Sequence, residues 1–413
     1  MEQYRKQRLN LIIKIILYIA IFYNSGSFIS TCDTTIGVLL MLLALFLLIG
    51  IYKVINRKFF YIIFILIIMF FFNIIFTNSY IYLNRYIRLL LIISLAIAYS
   101  TKISFKQFVL DYNFIIANIT LITIIVYVII NIFGKVNWLH FLPISTNVNN
   151  VSAYNGGLFI VYTYSYRRLS AFFWEPAVYS TYALLALLYE LYFFKRPRVK
   201  NLIIFILGIL ISQSTGGIIL LAYVLSFYFI IKGKKIITKI FWIIILCIGV
   251  GIVYINYYTV LDYLIEKFPI IFSKLDVNLQ KDTLVDRSSS ALLNLTIFYD
   301  NIFFGVGLSN VEILYKKLGG GAETSTNTYF IAAFGLWGIF YSLFYMGSIL
   351  QQKKLNFLTK IFFIFLITLI LEKEPYGFQV IIYIMFMYFF RENLELNSIE
   401  QKNIKRRKNV TFL

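Results

Sequence analysis

The sequence predicts an all-α polytopic membrane protein of about twelve transmembrane helices, with a large extracytoplasmic loop before the tenth. Composition, the spacing of apolar blocks and the placement of charge each lead there. Of 413 residues, 61% are hydrophobic and 14% charged, with a mean hydropathy of +0.82, against roughly 25% charged in ordinary globular chains. Such a chain has too little polar surface to face water on all sides. Its apolar blocks approach the roughly 20 residues that a helix needs to cross the hydrocarbon core.

The blocks place candidate spans near residues 9 to 24, 35 to 52, 59 to 77, 84 to 100, 112 to 133, 174 to 194, 201 to 213, 215 to 231, 236 to 257, 326 to 348, 357 to 371 and 376 to 390. Arg5, Lys6 and Arg8 precede the first block, and no small-residue cleavage site follows it. It therefore reads as a retained helix rather than a leader. With the N-terminus inside, 25 of the 38 Lys and Arg residues fall on cytoplasmic segments, including the runs 195–200 and 232–235. That bias sets orientation, with both termini cytoplasmic.

The chain then reads as one transmembrane domain, residues 1–390, followed by a basic cytoplasmic tail, 391–413. Two extracytoplasmic loops, 134–173 and 258–325, exceed what connections need. The second mixes Asp262, Glu266, Lys274, Asp276, Lys281, Asp282, Asp286 and Arg287 with Gly319-Gly320-Gly321, as expected of a folded cap at the membrane face. No internal repeat is evident, which weighs against repeat-built transporters.

The formal charge of +20 is dispersed in topology-setting runs, so nucleic acid is not an expected partner. Two cysteines, Cys32 and Cys247, make no disulfide framework, and His140 is the one histidine. That inventory and the lack of a Walker loop leave neither a His- or Cys-rich metal site nor a nucleotide expected.

Ionisable residues in or beside a span are costly, and each asks for a partner or a function. Lys14 can snorkel to the inner interface, while Asp111 and Glu190 lie beside basic inner loops that could pair with them. Glu372 and Glu374 flank Lys373 before Pro375 and read as a solvated outer turn. Arg85 and Arg88 share a helix face, as lipid-headgroup anchors or as a guanidinium pair for phosphate oxygens.

The most informative stretch is Arg167-Arg168-Leu169-Ser170-Ala171-Phe172-Phe173-Trp174-Glu175-Pro176. Pro after Glu is an ordinary helix start. Two Arg and a carboxylate at the mouth of a span would also hold an anion and accept a proton. Ser212-Gln213-Ser214-Thr215-Gly216-Gly217 reads as a turn or as backbone and hydroxyl ligand contacts. Phe304-Gly305-Val306-Gly307 permits tight backbone geometry, and Ser325-Thr326-Asn327-Thr328 supplies ordinary helix caps or site residues.

At these residues the chain resembles the Wzy-type polymerases of O-antigen and capsular polysaccharide, within the O-antigen ligase-like membrane superfamily. Arg168 to Glu175-Pro176 is similar to that family's R-x-x-G-x-x-x-E-P stretch, and Ser214-Thr215-Gly216 to its S-T-G turn. Asp286-Arg287 with Phe304-Gly305-Val306-Gly307 resembles its D-R and F-G-x-G elements. Thr326-Asn327-Thr328-Tyr329, with Gly335 and Gly338, resembles the segment opening the next span. Order matches over about residues 80 to 390. Ala171 stands where the pattern has Gly, and Thr326 where ligases of the superfamily place His. The second departure disfavours a ligase.

The resemblance implies a glycosyltransferase at the outer face of the bacterial cytoplasmic (inner) membrane. It would join oligosaccharide repeat units carried on undecaprenyl diphosphate, beside a chain-length regulator and a flippase. Arg168 and Arg287 would stabilise the departing diphosphate, with Glu175 as base or Arg168 as a positioning group. Arg85, Arg88, Arg167, Trp174, Ser214, Thr215, Asp286, Thr326 and Asn327 would bind substrate, and neither a metal nor a nucleotide is needed. A lipid-linked oligosaccharide flippase is the runner-up, and a non-catalytic scaffold the third reading.

Overall fold

The computed structural model describes residues 2–51, 57–147, 150–163, 168–194, 196–232, 281–320, 325–350, 352 and 355–395. The candidate span 236 to 257 and most of the tail lie outside them. The described chain is mostly helical. Its first part holds α1 (Glu2–Tyr23), α2 (Phe28–Cys32), α3 (Thr34–Phe46), α4 (Arg57–Thr77), α5 (Leu83–Lys102), α6 (Phe105–Tyr127), α7 (Pro176–Phe193), α8 (Val199–Ser212) and α9 (Thr215–Lys232). After the undescribed stretch come α10 (Lys281–Asp300), α11 (Asn310–Lys317), α12 (Asn327–Phe334), α13 (Leu336–Leu350), α14 (Phe357–Lys373) and α15 (Val380–Glu395).

Among the described residues four helices are long and apolar enough to cross a membrane: Phe60–Thr77, Leu83–Lys102, Phe105–Ile132 and Thr215–Lys232. Shorter apolar helices include Leu11–Tyr23, Val199–Ser212 and Leu336–Leu350. Their outer surfaces suit lipid rather than water. Phe60, Tyr61, Phe64, Ile65 and Phe71 of α4 are all more than half exposed, a continuous apolar face that a water-soluble monomer rarely carries. At the other extreme α7 is buried on every side, from Pro176 to Tyr192, as a helix apolar all round must be. It packs on α6, α8 and α9 and forms the centre of the bundle.

Two pairs of charges within this bundle are matched. Lys14 Nζ lies 2.5 Å from Asp111, which also accepts from Tyr18 at 2.8 Å and Gln107 at 2.9 Å. Glu190 is fully buried and accepts from Arg198 at 2.6 and 2.8 Å, from the Arg198 backbone N–H at 2.7 Å and from Asn113 at 3.0 Å. Removing one partner of such a group leaves a buried charge, which costs several kcal/mol.

Two expectations are corrected. The chain is not all-α, because the loop 134–173 contains a three-stranded antiparallel meander. Its strands are β1 (Ile144–Thr146), β2 (Ser152–Asn155) and β3 (Ile160–Tyr162), with Ala153 opposite Tyr162. The buried faces of Ala153, Ile160 and Tyr162 close on Phe28, so short strands gain a hydrophobic face that they cannot build alone.

The candidate span 326 to 348 is also two helices, α12 and α13, split at Gly335 with φ +62°. A break leaves the last carbonyls of α12 without partners in the helix. The Phe304-Gly305-Val306-Gly307 segment supplies them. Val306 N–H donates to Ala332 O at 3.0 Å and Gly307 N–H to Ala333 O at 2.9 Å, while Asn73 Nδ2 donates to Ala333 O at 3.1 Å. Gly305 and Gly307 both hold positive φ, and a Cβ on Gly305 would stand 2.5 Å from the backbone of Ala332 and Ala333.

Candidate functional site

The segment 168–176 is fixed by its backbone. Ile160 N–H donates to Ala171 O at 2.7 Å, Phe28 N–H to Phe172 O at 2.8 Å, and Trp174 N–H to Gly26 O at 3.0 Å. This double docking requires a sharp turn, and Ala171, fully buried, takes it at φ +51°. That is the position where the resembled pattern has glycine. A left-handed alanine costs about 1 kcal/mol or more, so Ala171→Gly is expected to raise stability by about 1 kcal/mol. Thermal unfolding of the purified protein in detergent checks this, a lower midpoint being the contrary result.

Phe173 stacks on Tyr182 at 4.5 Å, locking the turn to α7. Glu175 then takes the N-cap position in extended conformation, with Pro176 first in the helix, but its side chain makes no capping bond. Its carboxylate lies instead in the electrostatic neighbourhood of Tyr376, together with Glu374. Arg168 is half-buried with its Nε enclosed, and Trp174 packs half-buried beside Phe28 and Ala153.

Ser214 Oγ caps α9, accepting from Gly217 N–H at 3.2 Å. The glycines beside it make room: a Cβ on Gly216 would meet Lys373 Cε at 2.7 Å, and one on Gly217 would meet Ser180 Oγ at 2.5 Å. Lys373 crosses this gap and donates to Ala177 O and Ser180 Oγ, both at 3.2 Å.

Thr326 precedes α12 without capping it. Its hydroxyl donates to Glu374 O at 2.8 Å and accepts from Tyr376 N–H at 2.7 Å. Tyr376 in turn donates to Thr181 Oγ1 at 2.7 Å. Asn327 is buried, and with Ser325 and Thr328 it lies near the Glu372 carboxyl, whose Oε2 is enclosed. Asn294 of α10 closes the cluster, donating to Thr328 Oγ1 at 3.3 Å.

Glu175, the Ser214 turn, Thr326 and Asn327 therefore converge on residues 372–376. The reading of Glu372 and Glu374 as a solvated turn is corrected: Glu374 is 1% exposed and Glu372 half-buried, because Thr326 and Tyr376 fold the turn inward. Tyr376 and Asn294 were not singled out in the sequence, and Lys373 and Glu374 were read only as part of that solvated turn. The signal was a second Glu-Pro pair, Glu374-Pro375, matching Glu175-Pro176.

Other predicted residues lie apart or elsewhere. Arg85 is held in a bidentate pair by Glu312 at 2.7 and 3.0 Å. Arg88 sits near Tyr23 and over the ring of Phe378, two residues after the 372–376 turn, at 5.9 Å, with no carboxylate partner among the described residues. Thr215 is half-buried at the start of α9. Arg167 lies outside the described residues, as do the side chains of Asp286 and Arg287; position 287 falls two turns before Asn294 on α10. His140 is exposed, 3.3 Å from the Tyr154 hydroxyl. At the start of α3, the Thr35 hydroxyl and N–H hold the Asp33 carboxyl below the usual carboxylate range.

These features define a helical, membrane-associated protein with a buried cluster of polar and charged groups between α7, α9, α12 and α14. No protein-family model, curated protein or solved structure matches the chain.

Proposed function

We propose that the protein is a polysaccharide polymerase of the bacterial cytoplasmic membrane, transferring oligosaccharide repeat units from an undecaprenyl-diphosphate carrier to a lipid-linked acceptor at the outer face. One observation carries the reading: the Glu175-Pro176, Ser214-Thr215-Gly216 and Thr326-Asn327 elements, far apart in sequence, meet around Lys373 and Glu374. Ionisable groups gathered inside an apolar bundle are costly unless they serve a task. Glycosyl transfer from a diphosphate supplies one.

In that reaction the bond between the anomeric carbon and the diphosphate oxygen breaks, and the electron pair leaves with the lipid diphosphate. The acceptor hydroxyl oxygen bonds to the anomeric carbon, and its proton passes to the Glu175 carboxylate. Arg168 and Arg287 balance the charge growing on the leaving group, which is where fixed cations lower a barrier most. The diphosphate linkage is already activated, so no nucleotide enters.

A flippase remains the second reading, favoured by the helix break at Gly335, since discontinuous helices line the substrate sites of many transporters. Purified protein in liposomes with synthetic lipid-linked repeat units and no nucleotide separates the two. A ladder of extended products is expected. Movement of intact units across the bilayer without any ladder would replace the polymerase with the flippase.

A further inference from the structure

Beside the docked 304–307 segment, the end of α4, Asn301 just after α10 and the helix α11 line an open cavity of about 370 Å³. Its lining includes Phe76, Asn78, Asn301, Asn310 and Lys317, and none of its described lining residues is acidic. The volume falls within the roughly 300–1,000 Å³ of ordinary small-molecule sites.

The polar groups around it are only partly used. Asn310 Nδ2 donates to Thr77 O at 3.2 Å and Ser79 Oγ at 3.3 Å, which fixes the side chain and leaves its Oδ1 without a partner among the described residues. Asn301 Nδ2 donates to Ile297 O at 3.1 Å, and its Oδ1 is likewise unspent there. Asn78 makes no side-chain bond among the described residues, and its φ of +51° is one that Asn tolerates better than most residues. Lys317 has no carboxylate partner among them, because Glu312 on the same helix is committed to Arg85.

An aromatic wall completes the lining. Phe76 is 57% exposed, and its ring is braced by Phe304 at 4.1 Å, nearly parallel. Carboxamide oxygens accept from hydroxyl groups, carboxamide and ammonium N–H groups donate to them, and an aromatic face covers the C–H side of a pyranose. That combination selects a polyhydroxylated ring. A nucleotide would ask for more cations, and a divalent ion for carboxylates.

We propose that this cavity is a saccharide-binding subsite that holds one or two sugar residues of a glycan, apart from the cluster around 372–376. It rests on the polymerase reading only for where that glycan comes from. The test uses full-length protein in nanodiscs and free oligosaccharides released by mild acid from the envelope polysaccharide of the producing cells. Asn78→Gly keeps the left-handed turn while removing the amide, and Lys317→Ala alters an exposed side chain.

Each variant is expected to weaken binding about five-fold or more, the worth of one hydrogen bond, with an unchanged unfolding midpoint. No binding to the unaltered protein, or an affinity in both variants equal to that of the unaltered protein, would overturn the subsite. Free oligosaccharides carry no diphosphate. Intact binding beside a failed liposome ladder therefore sinks the polymerase reading alone.

Discussion

Replacing Arg168 with Ala is expected to abolish glycan extension while leaving the amount of protein in the membrane unchanged. Arg168 opens the stretch that ends in Glu175-Pro176, and backbone bonds to Ile160, Phe28 and Gly26 hold that turn. Loss of one charge-stabilising donor costs about 100-fold or more in rate. Cells carrying the variant should accumulate single lipid-linked units at the outer face. Immunoblotting for abundance and gel analysis of the lipid-linked glycans check both halves. Long chains at normal yield would remove Arg168 from the chemistry, and units held on the cytoplasmic side would support transport instead.

Gly305→Ala is expected to be strongly destabilising. It would place a side chain at φ +66° and 2.5 Å from backbone atoms of Ala332 and Ala333, which cannot swing aside as a flexible side chain can. The left-handed strain and the overpacking together cost about 3 kcal/mol or more. Thermal unfolding in detergent and yield from membranes should both fall. Gly347→Ala is the control: its Cβ would meet nothing within 4 Å, and alanine favours a helix by about 1 kcal/mol over glycine. Equal behaviour of the two variants would contradict the docking described for residues 304–307.

Much of the helical layout was readable from the sequence, because a bilayer demands long apolar blocks whatever their neighbours. The block 59 to 77 became α4 and the block 84 to 100 became α5, each within a few residues. Glu190 found its cation in the adjacent basic loop, as the charge pattern implied. The break at Gly335 was hidden because Phe334-Gly335-Leu336-Trp337-Gly338 is as apolar as an unbroken span, and what stops the helix is a segment some thirty residues earlier.

The turn 372–376 was misread for a related reason. Charges beside a proline look like a water-exposed turn, and only the tertiary bonds of Thr326 and Tyr376 draw them inward. Ser325 to Thr328 likewise carry residue types that cap helices, yet Thr326 spends its hydroxyl on a distant loop. Local propensity records what a residue can do alone, and long-range partners decide what it does.

The split between α12 and α13 bears on how the protein is made. Unpaired carbonyls in hydrocarbon are expensive, so a half-helix released into lipid before its partners existed would be a hazard to the nascent chain. Asn73 and residues 302–307 all precede Phe334 in the order of synthesis. The groups that receive Ala332 and Ala333 are therefore already outside the ribosome when those residues emerge. Biogenesis can then close the gap as soon as it opens.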